Sequence, residues 1–246
     1  MGKAVVDLIY PPRCAWCEID VPPEGLGATQ ISLCDDCRRW LAPPVGGFCL
    51  RCGAPADGLA SAVEHCGHCN GESFPWERVV ALGPYQGELG QAVVRLKRRR
   101  NEPLGFALGR LLVESRATAL HELRTEIVVP TPMHWLRRIR RGTNGPDLLA
   151  EALAKCLELP LVTACLKRKR LTRLQVDVLP GERHVQQRNS FRICGKARVK
   201  GRRILLVDDV LTTGSTAAEA TKALIDAGAA AVSVAVLARG IGNDAL

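Results

Sequence analysis

Apolar positions along the chain fall into short continuous runs separated by stripes at helical spacing. Val79-Val80-Ala81-Leu82, Ile127-Val128-Val129, the run from Arg203 to Val207 and the run from Ala231 to Leu237 have the length and composition of buried strands. Leu89 to Leu96, Gly105 to Ala119, Leu148 to Leu157 and Ala217 to Ala227 instead repeat apolar residues with the period of a helix. Leu161 to Ala164 is a shorter stretch that precedes a basic loop. Strands alternating with helices at this spacing predict an α/β fold, a doubly wound parallel sheet. It shows no internal repeat.

The rhythm begins only after the cysteines stop. Eleven cysteines are present, and eight form four Cys-x-x-Cys knuckles: Cys14 and Cys17, Cys34 and Cys37, Cys49 and Cys52, Cys66 and Cys69. Four-cysteine sets joined by loops of this size match structural tetrahedral zinc sites, so two zinc ions are expected. Sequential pairing, which groups the first four and the last four, is the expected arrangement, with interleaved pairing as the alternative. A disulfide framework is the alternative chemistry, but Met1 to Tyr10 holds no export signal, which predicts thiolates in a reducing cytoplasm. His65 and His68 flank Cys66 and are expected at the surface, because eight cysteines already complete two sites. Cys156, Cys165 and Cys194 are expected to be buried or partly buried thiols. A boundary near residues 73–77 divides the chain into a small zinc-ribbon module, 1–72, and a larger domain, 73–246. The module is poor in core-forming residues, so metal should supply most of its folding free energy.

With 246 residues, 47% of them hydrophobic, and no apolar run near the ~20 residues of a membrane span, the chain reads as soluble and globular. Its net charge of +9 is unevenly placed: residues 1–76 carry −4 and residues 77–246 carry +13. The zinc module is therefore a poor clamp for nucleic acid on bulk charge. Basic residues cluster at 95–100, 137–141 and 167–170, all in the larger domain, where they can meet phosphates, a single-stranded nucleic acid or water. Four Phe, four Trp and two Tyr give weak support for a base-stacking platform.

The chemistry concentrates in residues 204–216. A buried strand, Ile204 to Val207, delivers Asp208 and Asp209 at its C-terminal end, and Thr212-Thr213-Gly214-Ser215-Thr216 then opens a helix. Four hydroxyls, a glycine that admits close backbone approach and the unpaired N–H groups of a helix N-terminus suit a phosphate dianion. In parallel sheets ligands bind beyond the C-terminal strand ends, and neighbouring carboxylates there take ribose hydroxyls or hydrated magnesium. The alternative is a capped helix preceded by solvated turn aspartates.

This run resembles the ribose-phosphate signature of type I phosphoribosyltransferases, and the whole chain resembles the ComF family, a double zinc ribbon followed by such a domain. Besides the knuckles, the resemblance is carried by Tyr85 to Lys97, Val129-Pro130-Thr131-Pro132, Arg141-Gly142 with Asn144, Arg170-Leu171-Thr172 with Gln175, Arg188-Asn189 and Phe191. Each short element is weak, and their joint order is specific.

What the resemblance implies follows residue by residue. Asp208 and Asp209 would hold the ribose hydroxyls of phosphoribosyl pyrophosphate, with magnesium, while Thr212, Thr213, Gly214, Ser215 and Thr216 cradle its 5′-phosphate. Pro130 and Thr131 fall where the family has its pyrophosphate loop. Arg170, Gln175 and Arg183 fall in a hood region, where a cation such as Arg170 would neutralise the leaving pyrophosphate, and Lys97 would approach a phosphate. Thr212 stands where enzymes acting on 6-oxopurines carry an aspartate, which removes those acceptors. Arg141-Gly142-Thr143-Asn144-Gly145 lacks the aromatic and amide that the family pattern carries, which weakens a base-stacking role. Three readings remain: a phosphoribosyltransferase with an unidentified acceptor, a phosphoribosyl-pyrophosphate-binding component in the uptake or use of single-stranded DNA in natural competence, and a zinc-ribbon adaptor for a DNA translocase or helicase; the resemblance favours the second.

Overall fold

The computed structural model describes residues 11–21, 33–43, 47–56, 62–69, 72–98, 101–132, 145–168, 190–195 and 198–241. Its centre is a four-stranded parallel sheet of β3 (Val79–Pro84), β4 (Ile127–Pro130), β7 (Arg203–Leu211) and β8 (Ala231–Arg239), in the order β3-β8-β7-β4. Register is fixed by pairs such as Val79 with Val234, Leu206 with Val234 and Pro130 with Val207. Strand residues alternate between two apolar clusters, as the two-residue period of a strand requires. Val80, Leu82, Val128, Leu205, Val207 and Leu237 belong to one cluster, and Val79, Ala81, Val129, Ile204, Leu206 and Val236 to the other.

Helices cover both faces. The first cluster packs against α2 (Gly87–Leu96), α3 (Glu102–Ser115) and α5 (Gly145–Cys156), and the second against α6 (Ser215–Asp226). The expected helix over Gly105 to Ala119 is two helices, because Arg116 breaks the pattern and α4 (Ala117–Glu122) follows it. The Arg116 guanidinium turns inward, donating to the carbonyls of Ala81 and Leu82 at 3.1 and 2.9 Å and lying 4.2 Å from the Phe48 ring centroid. Gly105 and Gly109 let α3 and α5 close together: a Cβ on Gly109 would stand 2.5 Å from that of Ala152.

Connectivity defines a switch point. After β4 and α5 the chain moves outward, where Leu161 bridges Val128 in parallel, whereas after β7 and α6 it moves the other way, to β8. The reversal lies between β4 and β7, and the crevice beyond their carboxyl ends is where open α/β sheets bind ligands. Beyond Leu161, part of the basic stretch expected as a loop is a strand: β5 (Leu166–Arg168) pairs antiparallel with β6 (Phe191–Ile193).

The cysteine-rich region forms two lobes laid against the larger domain. The first contains α1 (Asp35–Leu41), and its Cys14, Leu33, Cys37 and Leu41 belong to the same apolar cluster as α2 and α3. Arg95 of α2 donates to the Trp16 carbonyl and to Glu18 Oε1, both at 2.7 Å, and Arg38 donates to Glu114 of α3 at 2.5 Å. The second lobe holds the short hairpin β1 (Gly47–Phe48) and β2 (Pro55–Ala56) and docks on β3, with the Val79 N–H donating to the Leu50 carbonyl at 2.7 Å. Gly53 makes that approach possible: its φ is +73°, and a Cβ there would lie 2.7 Å from Val79 Cγ1.

Candidate functional site

Strand β7 runs four residues past Val207, so the two aspartates lie within its last turns of pleat and not beyond it, with Asp208 paired to Val236 of β8. The central position of β7 buries Asp208, while its neighbour Asp209 reaches the side of the sheet where α2 ends and α5 begins. There Lys97, the residue capping α2, places Nζ 3.7 Å from Asp209 Oδ2. Gly145, the first residue of α5, lies so close that a Cβ would be 4.0 Å from the same oxygen.

Asp208 accepts the backbone N–H of Asp209 at 2.9 Å through Oδ1. Burial pushes its carboxyl well above the ordinary carboxylate range, the adjacent Asp209 charge adds to the shift, and Lys97 opposes it. Such a group is costly to ionise unless a cation or hydroxyl donors approach it.

Beside it, Pro130 ends β4 in register with Val207, and the buried Thr131 donates its N–H to the Val207 carbonyl at 2.8 Å. Pro130, Thr131, Asp208, Asp209 and Lys97 therefore converge at the switch point. Gly145 was not among the sequence candidates; its nearness to Asp209 follows from the α2–α5 packing.

The loop after β7 opens α6 with Gly214 as its N-cap residue, in the left-handed region at φ +75°. Gly214 offers no side chain to the first-turn N–H groups, which remain suited to an anion. Within the loop Thr213 Oγ1 donates to Ser215 Oγ at 3.2 Å and accepts the Ser215 N–H at a long 3.4 Å. Thr212 and Thr213 are exposed, and Ser215 and Thr216 are half-buried. Arg170, Gln175, Arg183, Arg188, Asn189, Arg141, Gly142 and Asn144 lie outside the described residues.

Two residues that the sequence did not single out hold this loop from beneath. Trp76 is buried, stacks on Phe74 with centroids 4.8 Å apart, and brings its ring within 2.8 Å of where a Gly214 Cβ would stand. Arg239, the last residue of β8, donates to the Leu211 and Thr212 carbonyls at 3.0 and 2.5 Å. A buried strand ending in Arg-Gly and a Trp just after the last knuckle were the available signals.

The thiols group sequentially. Cys14, Cys17, Cys34 and Cys37 have all four Sγ atoms within 4.8 Å of one another, and so do Cys49, Cys52, Cys66 and Cys69. Sulfur separations of 3.7 Å for Cys17 and Cys34, 3.6 Å for Cys49 and Cys69, 3.6 Å for Cys52 and Cys66, and 3.8 Å for Cys66 and Cys69 are far longer than a disulfide. They match the ~3.8 Å edge of a tetrahedron whose metal–sulfur arms are ~2.3 Å, so both sets fit zinc. His65 and His68 are exposed, as expected. Cys165 is buried and Cys194 half-buried, but Cys156 is exposed, because it falls on the last turn of α5 away from the sheet.

Two family models match the chain. Residues 5–70 match the family model of the double zinc ribbon domain, and residues 148–243 that of the phosphoribosyl transferase domain. The chain is 31% identical to Competence protein F of Haemophilus influenzae, over 92% of this chain and 96% of that protein. It is 34% identical to the DNA utilization protein YhgH of Escherichia coli K12, over 86% of this chain and 98% of that protein. Among solved structures, orotate phosphoribosyltransferase from Aeropyrum pernix is 22% identical, with 62% of this chain and 59% of that chain covered, at a TM-score of 0.33. Among the described residues no helix is long and apolar enough to cross a membrane.

Proposed function

The chain belongs to the ComF family, that of Competence protein F and the DNA utilization protein YhgH, and from that premise we propose that it binds phosphoribosyl pyrophosphate with magnesium and acts in the uptake or use of single-stranded DNA. The observation that carries the ligand reading is the buried Asp208 beside Asp209, set at the switch point directly before a loop whose Gly214 opens a helix. In this reading the carboxylates take the two ribose hydroxyls, directly or through hydrated magnesium. The first-turn N–H groups of α6 and the hydroxyls of Thr212, Thr213, Ser215 and Thr216 take the 5′-phosphate. In the same reading Pro130 and Thr131 at the end of β4 and Lys97 beside Asp209 meet the pyrophosphate, and Arg170 contributes positive charge to it. Zinc in the two four-cysteine sites holds the lobes that pack against this domain.

A catalytic version of the same site would displace pyrophosphate from the anomeric carbon, the carboxylates and cations offsetting charge that moves from ribose to the leaving group. The DNA reading rests on the names of the relatives and on the +13 charge of residues 77–246. The acidic N-terminal region, at −4, is the natural surface for a protein partner such as a translocase or helicase.

Calorimetric titration with phosphoribosyl pyrophosphate and magnesium tests the ligand. Wild type should bind, and Asp208→Ala/Asp209→Ala should lose ten- to a thousandfold in affinity, on the order expected for removing such charge contacts. Equal binding by the double variant sinks the site assignment. Pyrophosphate release on adding candidate acceptors separates an enzyme from a binding protein.

A further inference from the structure

The phosphate loop is not held by its own domain alone. The Arg239 guanidinium that donates to the Leu211 and Thr212 carbonyls also donates through Nε to the carbonyl of Cys52 at 2.8 Å, and through Nη1 to the Gly240 carbonyl. Cys52 is one of the four cysteines of the second set. Trp76 repeats the connection: its ring supports Gly214, and its Nε1–H donates to the carbonyl of Arg51, next to Cys52, at 2.9 Å. Two side chains distant in sequence thus run from the backbone of one knuckle to the two ends of one loop, and both use carbonyls whose positions are set when Cys49 and Cys52 share a metal.

We propose that Arg239 and Trp76 are positioning residues that couple metal occupancy of the Cys49, Cys52, Cys66 and Cys69 site to the conformation of the phosphate loop. Loss of that metal releases the Arg51 and Cys52 carbonyls, and the loop loses two of its supports together. Among the described residues the first four-cysteine set shows no such path: its contacts go to α2 and α3, on the other face of the sheet. Arginine is required at 239 because one planar fork must serve carbonyls on both sides, which a lysine ammonium at the end of a flexible stem does less well. The consequence for ligand affinity rests on the phosphoribosyl-pyrophosphate reading, whereas the mechanical coupling does not.

Hydrogen exchange of the amides of residues 211–216 tests the coupling without any ligand. Cys49→Ser/Cys52→Ser should accelerate that exchange about tenfold or more, the scale of losing a charge-assisted hydrogen bond. Cys14→Ser/Cys17→Ser should leave it within about twofold. Since the second-site variant can also lose its fold, Arg239→Gln carries the decision. With zinc content equal to wild type, it should accelerate 211–216 similarly, Arg239→Lys should restore the rate only in part, and the α5 amides of 149–154 should exchange as in wild type.

Unchanged loop exchange in zinc-loaded Arg239→Gln, or equal acceleration from losing either cysteine site, overturns the proposal. Calorimetry of the same zinc-loaded wild type with phosphoribosyl pyrophosphate and magnesium separates the two claims. Absence of binding there removes the ligand reading alone, while binding that weakens in Arg239→Gln supports both.

Discussion

Asp208 carries the largest electrostatic cost in the described site. It is buried, its carboxyl titrates well above the usual range through desolvation and the neighbouring Asp209, and the folded protein therefore takes up its proton more readily than the unfolded chain. Linkage gives the sign: this residue's favourable contribution is present below the unfolded value and is lost as pH rises through the raised folded value. Asp208→Asn should consequently raise the thermal midpoint of the ligand-free protein at neutral pH. The advantage should shrink as pH is lowered, while affinity for phosphoribosyl pyrophosphate falls at least about tenfold. Thermal scans from pH 4 to 8 check this, and a lower midpoint for the variant at neutral pH contradicts it. The pair itself was legible from sequence, as an acidic doublet after an apolar run. Its partner Lys97 stood in the basic cluster 95–100 with no partner named, and its 3.7 Å approach to Asp209 is a product of where α2 stops.

At the level of elements, strands were legible because β3, β4, β7 and β8 are continuous apolar runs, and the sheet buries both their faces. Boundaries were less so. β7 extends to Leu211 because ladder pairing with β8 holds Asp208 and Val210 in extended form despite their neighbours' polarity. Helix α3 ends early where the half-buried Arg116 guanidinium finds strand carbonyls. The loop–helix junction is the most constrained joint. Gly214→Ala should cost about 1–3 kcal/mol, combining a left-handed backbone unfavourable to a side chain with contact against Trp76. Removing the ring as well, in Gly214→Ala/Trp76→Ala, should give a total smaller than the sum of the single losses, because the clash vanishes with the ring. Denaturant titrations of the four proteins measure that cycle, and simple additivity would show that Trp76 does not limit the joint.

For the whole molecule, the two zinc lobes behave as part of one packed body. Cys14, Leu33, Cys37 and Leu41 share a cluster with α2 and α3, and the second lobe lies on β3. Sequence marked the cysteine sets but could not show this docking, since Arg95 with Trp16 and Arg38 with Glu114 are contacts across 76 or more residues. Chelation of zinc should therefore lower the midpoint of the entire chain, by on the order of 10 °C or more, and not melt a separate module. Calorimetric scans with and without chelator decide it: an unchanged main transition beside a lost small one would mean that the lobes fold independently.

The sheet order has one further result, for the history of each molecule. β3 is the first strand of the sheet to be made, yet its sheet partner β8 is the last, and β8 also forms the seam that joins β3 to β7. Until β8 is synthesised, β3 has no parallel strand to pair with, and the knuckle at Cys52 waits for Arg239 across 187 residues. Such long-range closure is slow and leaves strand edges uncovered meanwhile. An N-terminal lobe that can fold early on metal and lie along β3 would serve the nascent chain as a cover for an edge that would otherwise be open to aggregation.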